Sequence, residues 1–479
     1  MELTAREIAH VTGGEVIGGD ADARATSYAI DSRVLEDGAC FVALVAERDG
    51  HEFVADAAAR GASVALVARR VHVGDASPIA LVRVADPLQA LGALGGRARD
   101  ALGAVPVVGI TGSAGKTGTK DLTAAALAGS RAGSQTGAPN VHASPGSYNN
   151  EAGLPLTLLA APVGAAAVVL EMGARARGDI AALCAIARPT VGVITNVGLA
   201  HAGGLGGPAG VALTKGELFE ALPSSGLGVL DADDAATAGI AARTSAQVVQ
   251  VSARATAGIE LCAVDITLDG ELRPAFTLVT PWGTGRVQLS VHGDHQVVNA
   301  LQAAAVALHL QVPFADVVGG LESVRPAPWR MEILRTPTGA VLLNDAYNAN
   351  PSSMAAAVRG LAQIDTDGRR VAVLGEMREL GEHSADEHAR IGRLAAGLGI
   401  DVVVAVGDEA APLAQAAGND DTTTVVSVAD ADGALQALRE LLHHDDAVLV
   451  KGSRAVGLES VAHALALGDV AGPAPERVR

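Results

Sequence analysis

VVGITGSAGKTGTK, residues 107–120, is the stretch whose reading decides the fold. Val105, Val107, Val108 and Ile110 are apolar and β-branched, which predicts a short buried strand. Gly112, Ser113, Ala114 and Gly115 allow a tight turn with backbone N–H groups facing inward, and Lys116 and Thr117 open a helix through Leu122 and Ala126. A strand, a glycine-rich turn and a helix N-terminus make an anion cradle, because unpaired N–H groups and the helix dipole converge there. In such a cradle Lys116 reaches the β/γ-phosphates of a nucleotide, the Thr117 hydroxyl ligates Mg²⁺, and the turn with Gly118 wraps the phosphates. The match is to G-x-x-G-K-T. The longer pattern wants glycine five places before Gly115, where Ile110 stands. A chance glycine-rich turn ahead of a helix is the competing reading.

The 479 residues imply several domains and several cores. Hydrophobic residues make up 49% but aromatics only 2%, so Ala, Val, Leu and Ile must build those cores. The net charge of −18 has the wrong sign for a nucleic-acid binder. Cys40, Cys184 and Cys262 are scattered, which argues against a disulfide framework or a thiolate zinc site and suits a reducing compartment. The start, MELTAREIAHVTGG, has no apolar signal core, and no membrane-length apolar run follows. These features predict a cytoplasmic protein with no membrane insertion. No long exposed apolar stripe calls for more than a monomer.

The pattern predicts an α/β protein of three domains. A small N-terminal α/β domain spans 1–98, a central doubly wound phosphate-loop domain 99–323, and a C-terminal Rossmann-like doubly wound domain 324–479. In the first, a helix is expected over 4–11, strands over 27–30, 40–45 and 63–67, and helices over 53–60 and 88–99. Asp31, Ser32 and Arg33 end the first of these strands, as a site or as a solvated turn. In the second, strands over 168–170 and 191–195 end at Glu171 and near Asn196 and His201. A carboxylate at a strand end beside a phosphate loop suits Mg²⁺, which prefers oxygen ligands. A helical stretch begins at 213–217 and carries Lys215, by default a surface lysine. Strands are expected over 275–279 and 287–291, then a helix over 297–310 bearing Asn299. His292 and His295 lack a metal-partner set, so capping or packing explains them better. Pro326-Ala327-Pro328 reads as a linker. Beyond it, strands over 341–343, 371–374, 402–406 and 447–450 alternate with helices such as 352–361. Polar residues gather at their ends, where ligands bind in open α/β sheets. The tail from 471 onward reads as disordered.

The segments GITGSAGKTGTK (109–120), SYNNEAGLPLTLL (147–159), VVLEMGARARGDI (168–180), ITNVGLAH (194–201), TKGELFEAL (214–222), NDAYNANPSSM (344–354), LGEMRELGEHS (374–384) and LVKGSRAVGLES (449–460) together resemble the Mur ligase family. DSR, DGACFVAL and RDGHEF, between residues 31 and 53, resemble its first domain. Within the family, YNANPSSM and KGSR resemble the branch that adds D-alanyl-D-alanine. The resemblance implies a UDP-sugar-binding first domain, an ATP-binding second and a dipeptide-binding third that closes over the site. It implies UDP-N-acetylmuramoyl-tripeptide and D-alanyl-D-alanine as substrates, and an acyl phosphate made with ATP and one or two Mg²⁺. By the same resemblance Thr117, Glu171 and His201 hold metal, Asn299 lies near the adenine, Arg330 reaches the γ-phosphate and Asp345 holds the ribose. Asp31, Ser32, Arg33, Asn149 and Asn150 face the nucleotide-sugar peptide. Tyr347, Asn348, Asn350, Lys451, Ser453 and Arg454 serve the substrate of the third domain. Lys215 falls where family members often carry a carbamylated lysine, which supplies oxygen ligands to Mg²⁺. The alternative is an unmodified lysine paired with Glu217 or another acidic neighbour.

Two positions depart from the family pattern: Gln296 stands where Asn is common, and Glu47 where a glycine-containing turn is common. The rival readings are a family ligase for another amino acid, a plain phosphate-loop kinase or NTPase, and a non-catalytic nucleotide-binding regulator. The NTPase has no use for the N-terminal domain or the second doubly wound unit. The regulator predicts loss of Lys116, Glu171 or Lys215, and all three are present.

Overall fold

The structure, a computed structural model, describes residues 1–74, 78–129, 140–199, 202–337 and 339–468. Three α/β units follow one another along the chain, each built on its own main sheet. The tail expected to be disordered lies outside the described residues.

The first sheet runs in the order Glu15–Gly18, Ala80–Arg83, Val64–Val67, Ala39–Val42, Ser27–Ala29, parallel except for its first pair. Helix Ala5–Thr12 is fixed at both ends. Thr4 and Glu7 form a capping box, and Gly13 closes it at φ 67°. Helix Pro87–Ala101 starts at Asp86, whose carboxylate accepts the Leu88 N–H at 2.8 Å, with Pro87 in the first turn. A boundary at residue 98 falls inside this helix. Its Leu91 and Leu94 belong to one apolar core that runs from Leu3 and Ile8 in the first unit to Leu154, Leu170 and Ile180 in the second. Arg99 crosses with it, donating to Ala187 O at 2.9 Å.

Among the described residues the central sheet has nine strands. Seven are parallel, in the order Val141–Ala143, Ala167–Glu171, Val107–Thr111, Val191–Ile194, Leu227–Asp231, Gln247–Ser252, Leu261–Leu268. Pro274–Thr280 and Gly283–Gln288 then add antiparallel, so the doubly wound part gives way to a meander at one edge. The last strand lies earlier than the expected 287–291. Leu289 and Val291 remain buried, but beyond the paired ladder. Strand Val107–Thr111 lies between strands reached in opposite directions, so its carboxyl end is a topological switch point. Helices Lys116–Ala128 and Gln296–His309 pack over this face.

The third sheet runs Glu332–Arg335, Val341–Asn344, Ala447–Lys451, Arg370–Gly375, Val402–Val406, Thr424–Val428, parallel after its first pair. It is covered on both faces by separate apolar cores, one around Met354, Leu361 and Ile391, the other around Leu438, Val461 and Leu465. Among the described residues no helix is long and apolar enough to cross a membrane.

Candidate active site

The phosphate-loop glycines are required by what surrounds them. At Gly112, with φ 150°, an added Cβ would lie 1.9 Å from Thr195 Oγ1. At Gly115, with φ 80°, it would lie 2.8 Å from Asn299 Oδ1. Gly115 precedes helix Lys116–Ala128, which no side chain caps, so its first N–H groups are left for an anion. Asn196 braces the turn, its Oδ1 accepting the Ala114 N–H at 2.9 Å and its backbone O the Ser113 N–H at 3.1 Å. Lys116 Nζ donates to Gly112 O at 2.9 Å, folded over its own loop. Burial holds its amine below the usual lysine range. The Glu171 carboxylate pulls it back up, and the Arg330 guanidinium pushes it further down.

Thr117 Oγ1 donates to Glu171 Oε2 at 2.7 Å, and Asn149 Nδ2 donates to Glu171 Oε1 at 2.8 Å. Glu171 is buried at the end of its strand. Among the described residues no group of three His, Cys, Asp or Glu side chains is placed to hold a metal. The oxygens of Thr117 and Glu171 therefore fit Mg²⁺ only if phosphate oxygens or water complete the shell, as Mg²⁺ commonly requires.

A cavity of about 860 Å³ lies between the central and third domains. Ser113 to Gly118, Asn149, Asn150, Glu171 and Asn299 line it from one side, and Arg330, Asp345, Tyr347, Asn348, Asn350 and Lys451 from the other. Gln296, the departure from the family pattern, sits beside Asn299 and accepts its Nδ2–H at 2.9 Å. Asn350 caps helix Pro351–Gln363, accepting the Ser353 N–H at 3.0 Å, while its Nδ2 donates to Ser113 O at 3.2 Å. One amide thus starts a helix of the third domain and grips the phosphate loop of the second. Arg330 lies between Trp329 at φ 62° and Met331 at φ 52°. His292 Nδ1 lies 2.8 Å from Met331 O and anchors this bend.

Lys451, expected to meet a dipeptide carboxylate, is fully buried. Its Nζ is committed to Asp345 Oδ2 at 2.6 Å and Asn348 O at 2.8 Å. Ser453 is committed as well, its Oγ accepting the Arg378 N–H at 2.9 Å. Arg454 keeps a half-exposed guanidinium, 4.8 Å above the Trp329 ring and 3.5 Å from Glu459. Asp31, Ser32 and Arg33 lie in the first domain, away from this cavity. Arg33 folds back on Asp31 at 2.7 Å and holds that carboxyl below its usual range, and Ser32 donates to Asp56 Oδ2 at 2.6 Å. His201 lies outside the described residues.

Lys215 corrects one expectation. The helix does not begin at 213–217. It spans Gly207–Glu220, with Pro208 in its first turn, so Lys215 is mid-helix and 0% exposed. Among the described residues its Nζ has no hydrogen-bond partner. Glu217 does not supply one, because its carboxylate accepts the Gly178 N–H at 2.8 Å and the Ala181 N–H at 3.0 Å. Burial, then the Lys116 charge, lowers the Lys215 amine to about 7.

Asp231 was not singled out from the sequence, yet it lines the cavity at the end of strand Leu227–Asp231. Burial pushes its carboxyl up to about 6; the Asp233 N–H that it accepts pulls it back, and the charges of Asp233 and Asp234 push it up again. The strand-end position that marks Glu171 marks Asp231 too. Ser147 and Lys120, quoted only as parts of motifs, also line or brace this region.

Comparison with known proteins agrees with this geometry. The model of the Mur ligase middle domain matches residues 110–307, and that of the Mur ligase, glutamate ligase domain, residues 329–454. The chain is 42% identical to a UDP-N-acetylmuramoyl-tripeptide–D-alanyl-D-alanine ligase of Mycobacterium tuberculosis, over 98% of this chain and 99% of that protein. It is 34% identical to the ligase of the same name from Escherichia coli, over 97% and 98%. A crystal structure of MurF from Acinetobacter baumannii superposes with a TM-score of 0.84 at 33% identity, covering 97% of this chain and 99% of that one. MurF ligase from Thermotoga maritima in complex with ADP superposes at 0.75 with 27% identity, covering 92% and 97%.

Proposed function

The chain belongs to the Mur ligase family, and on that premise we infer that it is an ATP-dependent ligase joining D-alanyl-D-alanine to UDP-N-acetylmuramoyl-tripeptide in peptidoglycan synthesis. One observation carries the reading: a single cavity is walled by a phosphate cradle on one side and by the third domain on the other. The reaction needs that arrangement. The tripeptide carboxylate takes the γ-phosphoryl group of ATP, giving an acyl phosphate and ADP. The dipeptide amine attacks the acyl carbon, and the tetrahedral intermediate collapses to amide and phosphate.

Each residue has work in this scheme. Bringing a carboxylate to a triphosphate sets anion against anion, so cations must offset the repulsion. Lys116 and Arg330 both line the cavity, and the Arg330 guanidinium is close enough to lower the Lys116 amine. Gly112, Ser113, Ala114, Gly115 and Gly118 shape the backbone around the phosphates. Asn299 meets the adenine and Asp345 the ribose, with Lys451 holding the Asp345 carboxylate in place. Thr117, Glu171 and His201 would hold Mg²⁺, which would supply charge neutralisation on the phosphate oxygens. Asp31, Ser32 and Arg33 bind the UDP-sugar, while Asn149 and Asn150 meet the muramoyl peptide. Tyr347, Asn348 and Asn350 border the dipeptide, and Arg454 meets its carboxylate with support from Ser453. The protein works in the cytoplasm as a monomer, with domains near 1–98, 99–323 and 324–479.

As a carbamate, Lys215 would add oxygen ligands to the metal site. Its amine is fully buried, without a hydrogen-bond partner among the described residues, and lowered to about 7. A neutral amine attacks CO₂, forming an N–C bond and losing one proton. The product replaces a buried ammonium by a carboxylate with two oxygen ligands.

The test is ADP release with UDP-muramoyl peptides and a panel of amines. D-Ala-D-Ala should drive release. Release driven instead by a single D- or L-amino acid assigns a different ligase of the family, and release without any amine assigns a plain NTPase.

A further inference from the structure

Besides the Asn350 grip on the phosphate loop, the third-domain wall of the cavity is tied to the central domain through the hydroxyl of Ser147. Ser147 Oγ accepts the Tyr347 O–H at 2.6 Å and an N–H of Arg330 Nη2 at 3.3 Å. The same guanidinium lies 3.9 Å above the Tyr347 ring. Arg330 is therefore held on two sides, by an aromatic face and by a hydroxyl, and both holds meet at Ser147.

Both ends of this contact are braced. On the third-domain side, the left-handed Trp329 and Met331 set the direction in which Arg330 leaves the chain. Their backbone is pinned by Met331 N–H to Asp345 Oδ1 at 3.1 Å and Tyr347 N–H to Trp329 O at 3.2 Å. On the central side, Ser147 follows strand Val141–Ala143 in a loop fastened to the phosphate-loop helix by a buried cation. Lys120, one turn beyond Lys116, donates to Ser144 O at 2.8 Å and Gly146 O at 3.4 Å. A continuous path runs from the phosphate-loop helix through Lys120 and the 144–147 loop to Arg330.

Resting on the ligase reading, we propose that Ser147 is a positioning residue for phosphoryl transfer: through Tyr347 it aims Arg330 at the phosphates held over Lys116. An arginine side chain has many rotamers, and a donor aimed before reaction stabilises developing charge without reorganising. Stacking and one hydrogen bond supply that aim here. The contact also makes the cation available only when the third domain is seated, so the phosphoryl group is stabilised when the domain bearing the dipeptide is in place.

Ser147→Ala, Tyr347→Phe, the double variant and Ser147→Thr, each in the full chain, test this. The readouts are kcat for ADP release with saturating tripeptide and D-Ala-D-Ala, KM for ATP, and Tm. One ordinary hydrogen bond corresponds to a factor of about three to ten in rate, so each single variant should lose about that much in kcat with little change in KM for ATP. The double variant should lose no more than the worse single one, because both remove the same contact. Ser147→Thr, which keeps the hydroxyl, should restore most of kcat. Wild-type kcat in Ser147→Ala, losses that multiply in the double variant, or no recovery in Ser147→Thr overturns the assignment alone. A wild-type protein that releases no ADP with D-Ala-D-Ala overturns the ligase reading first and this assignment with it.

Discussion

Lys451 Nζ lies 2.6 Å from Asp345 Oδ2, and the two come from strand ends separated by more than a hundred residues of chain. Lys451 is 1% exposed and Asp345 8%. Removing one charge leaves the other buried without its counter-ion, which costs about 3–5 kcal/mol. Lys451→Ala should therefore lower stability in urea by roughly that much, and Lys451→Met with Asp345→Asn should recover a good part of it. If Lys451→Ala unfolds at the wild-type urea midpoint, the pair is not what holds these strand ends together.

The proposed dipeptide role of Arg454, whose guanidinium stays half-exposed, can be tested directly. Arg454→Ala should raise KM for D-Ala-D-Ala by about tenfold, the scale of one charged hydrogen bond, and leave KM for ATP unchanged. A change confined to ATP would remove Arg454 from the dipeptide site.

Lys116→Ala should abolish ATP turnover while the far-ultraviolet spectrum stays native, since among the described residues its amine donates a hydrogen bond to Gly112 O of its own loop. Gly115→Ala should act differently. Its φ of 80° and a Cβ 2.8 Å from Asn299 Oδ1 force the loop to move. That substitution should weaken nucleotide binding, as read by calorimetry, before it affects the chemical step.

Lys215→Ala should lose most activity, and short carboxylic acids should restore part of it by filling the vacated position. Isotope-labelled bicarbonate should give a carbamate signal in the wild-type protein that is missing from the variant. Full activity of the unrescued variant would count decisively against the modification.

Asp231 gives a pH dependence with a definite sign. Its carboxyl is raised to about 6 in the folded state from 3.8. The folded protein thus takes up this proton at higher pH than the unfolded chain. The cost of burying the charge is fully present above about pH 6 and disappears as pH falls towards 4. Asp231→Asn should have a higher Tm than the wild type at about pH 7.5, with the two converging at about pH 4. A constant offset at every pH would place the effect in packing rather than in charge.

What could be read from the sequence was mostly local. Helix Lys116–Ala128 and strand Val402–Val406 follow from residues adjacent in the chain, because a glycine turn or a β-branched run acts over a few positions. Lys215 lies deeper in its helix than expected because the helix starts further back, at Gly207 and Pro208, where glycine and proline give no apolar pattern to read. The edge strand Val141–Ala143 is too short to leave a pattern. Long-range pairs left no trace at all. Nothing near Ser147 announces Tyr347, two hundred residues away, and nothing in Lys451 says that its charge belongs to Asp345. Two residues that end strands, Glu171 and Asp231, were equally exposed to the same rule, and only the first was picked out.

The apolar core shared by the first two units has a consequence for how the protein comes into being. Leu3 and Ile8 are packed in one cluster with Leu154, Leu170 and Ile180. A chain leaving the ribosome at roughly 5–20 residues per second would wait on the order of 10 to 30 seconds between making the first of these side chains and the last. Through that interval the N-terminal sheet is without part of its partner surface. Residues 1–98 are thus not a cassette that can be exchanged between relatives by cutting at a linker. A graft that ignores Leu91, Leu94 and Arg99 would carry the sheet across and leave its foundation behind.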